Sequence, residues 1–217
     1  MLSAVIFDFD YTLGDSTDGI VACANYALER MGLPPQTVDA IRRTIGLSLT
    51  ATYAALTADD DCARAEQFAD AFRHKADEVM AASASLYDGA LPFLRGLRAK
   101  GIRTAIVTTK FGYRIREILT RFNALDLIDV IVGAEDVTAV KPDPEGLQTA
   151  LRKLKVAAPD VLYVGDSVVD AAAAAAAGIP FVAVLTGTTE RDAFAAYPHL
   201  HVSPDLWDVA RHLCPPR

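Results

Sequence analysis

Five short runs rich in apolar and β-branched residues recur along the chain, each closing on small or polar residues: Ala4 to Phe9, Arg103 to Thr108, Leu127 to Gly133, Val161 to Gly165 and Phe181 to Leu185. Runs of this length without polar alternation read as strands buried on both faces. Helical stretches separate the later ones: Pro92 to Lys100, Tyr113 to Phe122, Pro144 to Lys155 and Asp170 to Ala177. Strand alternating with helix predicts an α/β fold with a doubly wound, parallel, Rossmann-like sheet. The first interval breaks the rhythm, because about ninety residues separate the first two runs where a crossover helix needs only about a dozen. From Thr17 to about Ser83 the sequence carries Ala, Leu, Glu and Arg at helical spacing, with Pro34-Pro35 dividing one helix from the next and Ser48-Leu49-Thr50 following Gly46. The expected organisation is therefore an α/β core of residues 1–16 and 84–217 with an all-helical cap, residues 17–83, set into the first crossover. Hinges are expected near Ser16 and near Leu86-Tyr87-Asp88-Gly89. The alanine run after Asp170 reads as a closely packed helix ended by Gly178, ahead of Pro180.

Composition narrows the function classes. A chain of 217 residues with 52% hydrophobic and 23% charged residues has ample material for a buried core. Its longest apolar stretch, Ala171 to Ala177 with Gly178 and Ile179, is far too short to span a bilayer. Met1 leads within a few residues into Val5-Ile6-Phe7-Asp8 without the pattern of a secretory signal, so a cytoplasmic location is expected and no membrane partner. A net charge of −7 disfavours nucleic acid, whose backbone is held mainly by Lys and Arg. Cys23, Cys62 and Cys214 lie far apart, without metal-ligand spacing, and read as plain thiols. His74 sits in a charged helical stretch, and His199, His201 and His212 show no ligand-like cluster, so none is assigned a function.

Four strand ends carry the chemistry. The first reads Phe7-Asp8-Phe9-Asp10-Tyr11-Thr12-Leu13, and ligands of open α/β sheets gather at the carboxyl ends of strands. Two carboxylates at i and i+2 there suit a split role, one as nucleophile and metal ligand, the other as proton donor to a leaving group. Alone, such a pair serves equally well as turn or cap residues. The second end, Ile106-Val107-Thr108-Thr109-Lys110, offers hydroxyls and backbone N–H groups where a phosphoryl group needs donors. After the third strand, Lys141-Pro142-Asp143-Pro144 holds a lysine in a proline-stiffened turn, able to neutralise phosphate and steady the nucleophile. The fourth, Val164-Gly165-Asp166-Ser167-Val168-Val169-Asp170, places Asp166 at the strand end and Asp170 at the opening of the next helix. An oxygen-only donor set of this kind favours a hard ion, and Mg²⁺ fits best.

These four motifs, in this order, resemble those of the haloacid dehalogenase superfamily of phosphatases, and the helical insertion after the first motif stands where that superfamily carries its helical cap. The resemblance covers the whole chain. It implies Asp8 as nucleophile, Asp10 as general acid and base, Thr108 as phosphate-binding hydroxyl, Lys141 as charge neutraliser and Asp166 as metal ligand. It further implies that Asp10 reaches the metal through its backbone carbonyl and that Asp170 orders the metal's water shell. Tyr11 departs from the pattern, standing where many relatives carry Gly. The second Asp of the first motif favours phosphate transfer over dehalogenation, since the dehalogenating members lack it. Within the phosphatases, the cap and Thr108-Thr109-Lys110 look most like the phosphoglycolate phosphatase group. Phosphosugar mutases share the same cap and motifs. A non-enzymatic phosphoacceptor switch, which also places Asp, Thr and Lys at strand ends, is disfavoured because its acceptor lies on a later strand.

The expected partner is a small phosphorylated metabolite, with the protein a monomer or homodimer. Thr109 and Lys110 are the core residues expected to bind it. In the cap, Ile41-Arg42-Arg43-Thr44-Ile45-Gly46 pairs cations with a glycine, and Arg43 is the expected contact. Tyr113, Arg114 and Arg116 read as helix surface.

Overall fold

The computed structural model describes residues 2–213. They divide into two compact units, one of residues 2–15 and 86–213, the other Ser16–Ser85. Along the chain the strands are β1 (Ala4–Phe7), β2 (Gly14–Asp15), β3 (Ser85–Leu86), β4 (Arg103–Val107), β5 (Val130–Val132), β6 (Val161–Gly165), β7 (Phe181–Val184) and β8 (His201–Ser203). The helices of the second unit are α1 (Thr17–Arg30), α2 (Val38–Arg42), α3 (Leu49–Thr57) and α4 (Cys62–Ser83). Those of the first are α5 (Ala90–Ala99), α6 (Gly112–Arg121), α7 (Glu145–Leu154), α8 (Val168–Ala177) and α9 (Leu206–Leu213).

Six strands form one parallel sheet in the order β5-β4-β1-β6-β7-β8. Leaving β2 and β3 aside, this is the doubly wound order 3-2-1-4-5-6, whose direction of winding reverses beside the first strand. β1 is central: Ala4 pairs with Arg103 of β4 and Val161 of β6, and Phe7 with Ile106 and Val164. All four β1 residues are buried, as helices on both faces require of a parallel sheet. Ile6, Ala105, Val107, Tyr163, Phe181 and Leu147 belong to the core on one face, and the Phe93 ring of α5 meets Phe7 edge to face at 5.6 Å.

The capping box at the start of α8 explains why that helix begins earlier than its alanine run suggests. The Ser167 hydroxyl accepts from the Asp170 N–H, and the Asp170 side chain accepts from the Ser167 N–H, which moves the first turn back to Val168. Ala171, Ala173 and Ala174 are fully buried, so the small side chains bring the helix close to the sheet. The helix ends on Gly178 with φ 66°. The second unit has its own core, in which Cys23, Ala27 and Leu28 of α1 meet Tyr53 of α3 and Phe68 of α4. Ser48 and Asp61 cap α3 and α4, accepting from the backbone N–H groups of Ala51 and Arg64.

The structure corrects several expectations. The third apolar run is strand only over Val130–Val132, because Leu125–Leu127 forms a 3-10 turn. β8 and α9 were not expected; a three-residue strand opening on His201 carries too little apolar pattern to stand out. Arg114 is buried, its guanidinium 5.1 Å from the Phe111 ring centre and 5.0 Å from that of Tyr113, while Tyr113 and Arg116 face outward as helix surface. His201 and His212 stand together with Asp208 between them, a cluster formed by strand and helix that linear spacing hides. Cys23 is buried and Cys62 exposed; Cys214 lies outside the described residues. Among the described residues no helix is long and apolar enough to cross a membrane.

Truncating Ile6 tests the centrality of β1. Ile6→Ala removes a fully buried side chain at the middle of the sheet and is expected to cost about 2–5 kcal/mol. The check is a lower urea midpoint with an unchanged slope.

Candidate active site

Asp8 leaves β1 where the winding reverses, its N–H donating to the Val164 carbonyl of β6 (2.9 Å). Its Oδ1 accepts from the Phe9 N–H (2.7 Å), and its Oδ2 lies 2.9 Å from the Lys141 ammonium. The chain then turns tightly: the N–H groups of Leu13 and Gly14 converge on the Phe9 carbonyl, and Tyr11 adopts φ 58°. This left-handed conformation is costly for a residue with a side chain and comes most readily to glycine. The Tyr11 ring is buried all the same. Asp10, two residues beyond Asp8, is buried; its Oδ2 pairs with the Lys110 ammonium at 3.1 Å, while its Oδ1 has no hydrogen-bond partner.

Lys141 is buried in a ring of acceptors. Its ammonium reaches Asp170 Oδ1 (2.7 Å), Asp8 Oδ2 (2.9 Å) and the Tyr163 hydroxyl (3.2 Å). Tyr163 in turn donates to Asp170 Oδ1 (2.6 Å), and Asp170 Oδ2 accepts from the Ser167 hydroxyl (2.6 Å) and N–H (3.1 Å). Both Asp170 oxygens are therefore committed, and the residue acts foremost as the anchor of Lys141. Gly165 lets it in, for a Cβ there would lie 2.6 Å from Asp170. Asp166 is buried and takes a long contact from the Thr12 hydroxyl at 3.4 Å.

Thr108 is buried at the end of β4, but its own N–H is committed to the Val132 carbonyl (3.1 Å), and the Lys110 N–H donates to the Thr108 hydroxyl (3.2 Å). Of the backbone donors expected at this edge, these two are thus already engaged, whereas the Thr108 hydroxyl proton is left to point elsewhere. Thr109 is half-buried next to it. Asp8, Asp10, Thr108, Lys110, Lys141, Asp166 and Asp170 all belong to the sheet-bearing unit; Arg43 belongs to the helical unit, exposed at the C-terminal end of α2. Tyr163, Ser167 and Thr12 were missed in the sequence. Tyr163 reads as one more apolar strand residue, and only its burial beside Lys141 gives the hydroxyl a task.

The electrostatics follow from burial. Desolvation pushes Asp8 up to about 7 against the pull of Lys141. Burial, with the Asp170 and Asp8 charges, pushes Asp166 well above the usual carboxylate range. Burial acts against the charge of Asp170 too, but Lys141, Ser167 and Tyr163 outweigh it and hold that carboxyl below its usual value. Burial likewise opposes the charge of Lys141, and Asp170 and Asp8 outweigh it, so the ammonium holds its proton more tightly than usual.

A cation fits this arrangement. Asp8, Asp166 and Asp170 offer carboxylate oxygens within 4.8 Å of one another, Asp10 Oδ1 is a buried acceptor without a partner, and every donor is oxygen. Lys141 pairs with Asp8 and Asp170, so ionising Asp166 as well would leave negative charge that a hard divalent ion would balance, in place of the protons that burial otherwise favours on Asp8 and Asp166.

These positions lie within the stretch, residues 5–184, that matches the family model for haloacid dehalogenase-like hydrolases. A phosphoglycolate phosphatase of Rhodospirillum rubrum is 37% identical over 86% of this chain and 81% of its own length. Another, of Cereibacter sphaeroides, is 36% identical over 98% and 99%. Among solved structures, a haloacid dehalogenase-like hydrolase of Bacteroides fragilis superposes with a TM-score of 0.93 at 42% identity, covering 96% of this chain and all of that one. A predicted phosphatase of Clostridium acetobutylicum shares the fold, with a TM-score of 0.90 at 20% identity.

The raised carboxyls fix the sign of a pH effect in the metal-free protein. Between about pH 4 and about pH 7 the folded chain holds protons on Asp8 and Asp166 that the unfolded chain has released, so stability falls as pH rises through this window. The contribution of Asp170, whose value is depressed, is lost only at lower pH, and that of Lys141, whose value is raised, only at higher pH. In chelator, the thermal midpoint is expected to be higher near pH 5 than near pH 7.5, and Asp166→Asn is expected to flatten the slope. By sequence and by fold, the chain belongs to the haloacid dehalogenase-like hydrolases.

Proposed function

We propose that this chain is a cytoplasmic, Mg²⁺-dependent phosphomonoesterase that forms an aspartyl-phosphate on Asp8 and hydrolyses it, with phosphoglycolate the first substrate to test. The observation that carries the reading is the Asp8 carboxylate itself. It is held from two sides by Phe9 N–H and Lys141, beside a second carboxylate, Asp10, whose Oδ1 makes no hydrogen bond. Support for the substrate comes from relatives named phosphoglycolate phosphatase at 31–37% identity.

In this reading Asp8 attacks the phosphorus in line while Asp10 gives a proton to the departing oxygen; Asp10 then takes a proton from the water that cleaves the acyl-phosphate. Lys141, held by Asp170 and Tyr163, keeps the nucleophile aligned and offsets phosphate charge. Thr108 offers its hydroxyl to a phosphoryl oxygen, and Thr109 and Lys110 complete the binding edge. Lys110, paired with Asp10 Oδ2, keeps that carboxylate turned so that its other oxygen carries the proton. Asp8, Asp166 and the Asp10 backbone carbonyl would hold Mg²⁺, with Asp170 behind them. When bound, the ion supplies Lewis-acid polarisation and charge neutralisation. Residues 17–83 serve as the cap that selects substrate, with Arg43, solvent-exposed, as the cation for its polar end.

Two variants test the covalent route. Asp8→Asn is expected to abolish turnover of phosphoglycolate and p-nitrophenyl phosphate at saturating Mg²⁺ while keeping a cooperative thermal transition. Asp10→Asn is expected to lose about 10²–10⁴-fold and to accumulate acid-stable label from radioactive phosphoester. Residual wild-type turnover in Asp8→Asn would overturn the mechanism, and failure to turn over phosphoglycolate beside other esters would overturn the substrate.

Gly187 supplies a test of the metal. A Cβ at this position would stand 1.9 Å from Asp166 Oδ2, so Gly187→Ala must displace that carboxylate. The variant is expected to need at least tenfold more Mg²⁺ for half-maximal activity. Mg²⁺ is also expected to raise the wild-type thermal midpoint more near pH 7.5 than near pH 5, where the carboxyls compete for protons.

A further inference from the structure

We propose that His201, Asp208 and His212 form a second metal site, specific for a borderline divalent transition ion such as Zn²⁺, which pins α9 to the edge strand β8. Asp208 and His212 stand at i and i+4 on α9 and so share one helix face, while His201 opens β8 across from them. His201 Nε2 lies 3.2 Å and His212 Nδ1 3.5 Å from the same oxygen, Asp208 Oδ2. Zn²⁺ bound to imidazole nitrogen and carboxylate oxygen at about 2.0–2.1 Å in a tetrahedron keeps its ligand atoms about 3.3 Å apart. Two edges of such a tetrahedron are thus already present, and one donor atom from each of the three residues lies within 4.8 Å of the others.

The surroundings suit a metal. Arg211 holds the other carboxylate oxygen, Asp208 Oδ1, at 3.0 Å, and the Asp208 N–H is fixed by Asp205 Oδ1 at 2.8 Å, so the carboxylate is oriented from behind. The two imidazole rings sit 4.5 Å apart between centres, close for groups that share no apolar core. His212 Nδ1 also lies 2.8 Å from the Asp208 carbonyl, a contact the ion replaces. His201 and His212 are about half exposed, which leaves the fourth position to water and the site open to ions from solution. Two imidazoles and one carboxylate select Zn²⁺ over Mg²⁺, which prefers oxygen donors.

This site is separate from the Asp8 cluster. β8 is three strands from β1 in the sheet, a separation of about 14 Å at about 4.8 Å per strand. His201 starts β8, whereas Asp8 follows the end of the parallel strand β1, so the two sites occupy opposite ends of the sheet. The consequence is structural: an ion shared by β8 and α9 fastens the edge strand of the sheet to the helix that follows it.

The test is Zn²⁺ titration of the full chain by calorimetry in excess Mg²⁺, which occupies the oxygen-only site, with the thermal midpoint read in parallel. Wild type and Asp8→Asn are expected to bind one Zn²⁺ with a rise in thermal midpoint. His201→Ala and His212→Ala, both changes at exposed side chains, are expected to bind at least tenfold more weakly and to lose the rise. Co²⁺ is expected to give wild type, but not the two histidine variants, the intense visible absorption of a tetrahedral site. Equal Zn²⁺ binding in wild type and both histidine variants would overturn the proposal, as would loss of binding in Asp8→Asn alone or no binding at micromolar free Zn²⁺.

Discussion

The ammonium of Lys141 is the constraint on which the rest of the site depends. It is buried with two carboxylates, Asp8 and Asp170, within 2.9 Å, and each group alone would cost several kcal/mol to take out of water. None of the three can be placed without the others. Asp170 is held by its own helix cap through Ser167 and by Tyr163 from β6, so its charge is fixed by elements that fold whether or not substrate is present. Lys141 is then fixed by Asp170, and Asp8 by Lys141. The order of positioning runs from the α8 capping box inward to the carboxylate that faces the ligand.

This chain of positioning explains why the four motifs sit at strand ends. Parallel strands with the order found here bring the ends of β1, β4 and β6 side by side, and the residues that follow them converge without any being near in sequence. The backbone meets the needs of the site in two places. Tyr11 takes up a left-handed conformation so that the loop can turn back after Asp10, and Gly187 stays without a side chain so that Asp166 can stand where it does. Both are local costs, borne where the carboxylates gather.

The surplus of negative charge gives the site its character. Burial holds protons on Asp8 and Asp166 while Asp170 stays ionised beside Lys141; ionising all three carboxylates leaves more negative charge than Lys141 offsets, and a divalent cation would balance it. The Asp10–Lys110 pair adds a second, smaller balance, leaving one carboxylate oxygen without a partner. The cluster at His201, Asp208 and His212 has the opposite character: exposed, nitrogen-rich and remote from the sheet's ligand end, it suits a different class of ion.

Much of this was legible in the sequence because buried parallel strands are continuous apolar runs and the residues after them are short, distinctive motifs. Val161–Gly165 was read to the residue, and Asp8, Asp10 and Asp166 stood out as acidic residues at the ends of apolar runs, Lys141 as the cation of a proline-rich turn. The strand over Leu127 to Gly133 was read too long because a 3-10 turn and a strand look alike in apolar content. The burial of Arg114, the hydroxyl of Tyr163 and the meeting of His201 with His212 were not legible at all. Local pattern determined which segments are strands and which residues end them, since periodicity and turn chemistry act over a few residues. Only the tertiary structure decided which side chains share a buried volume, because desolvation and charge pairing depend on distances set by strand order, which no short stretch of sequence encodes.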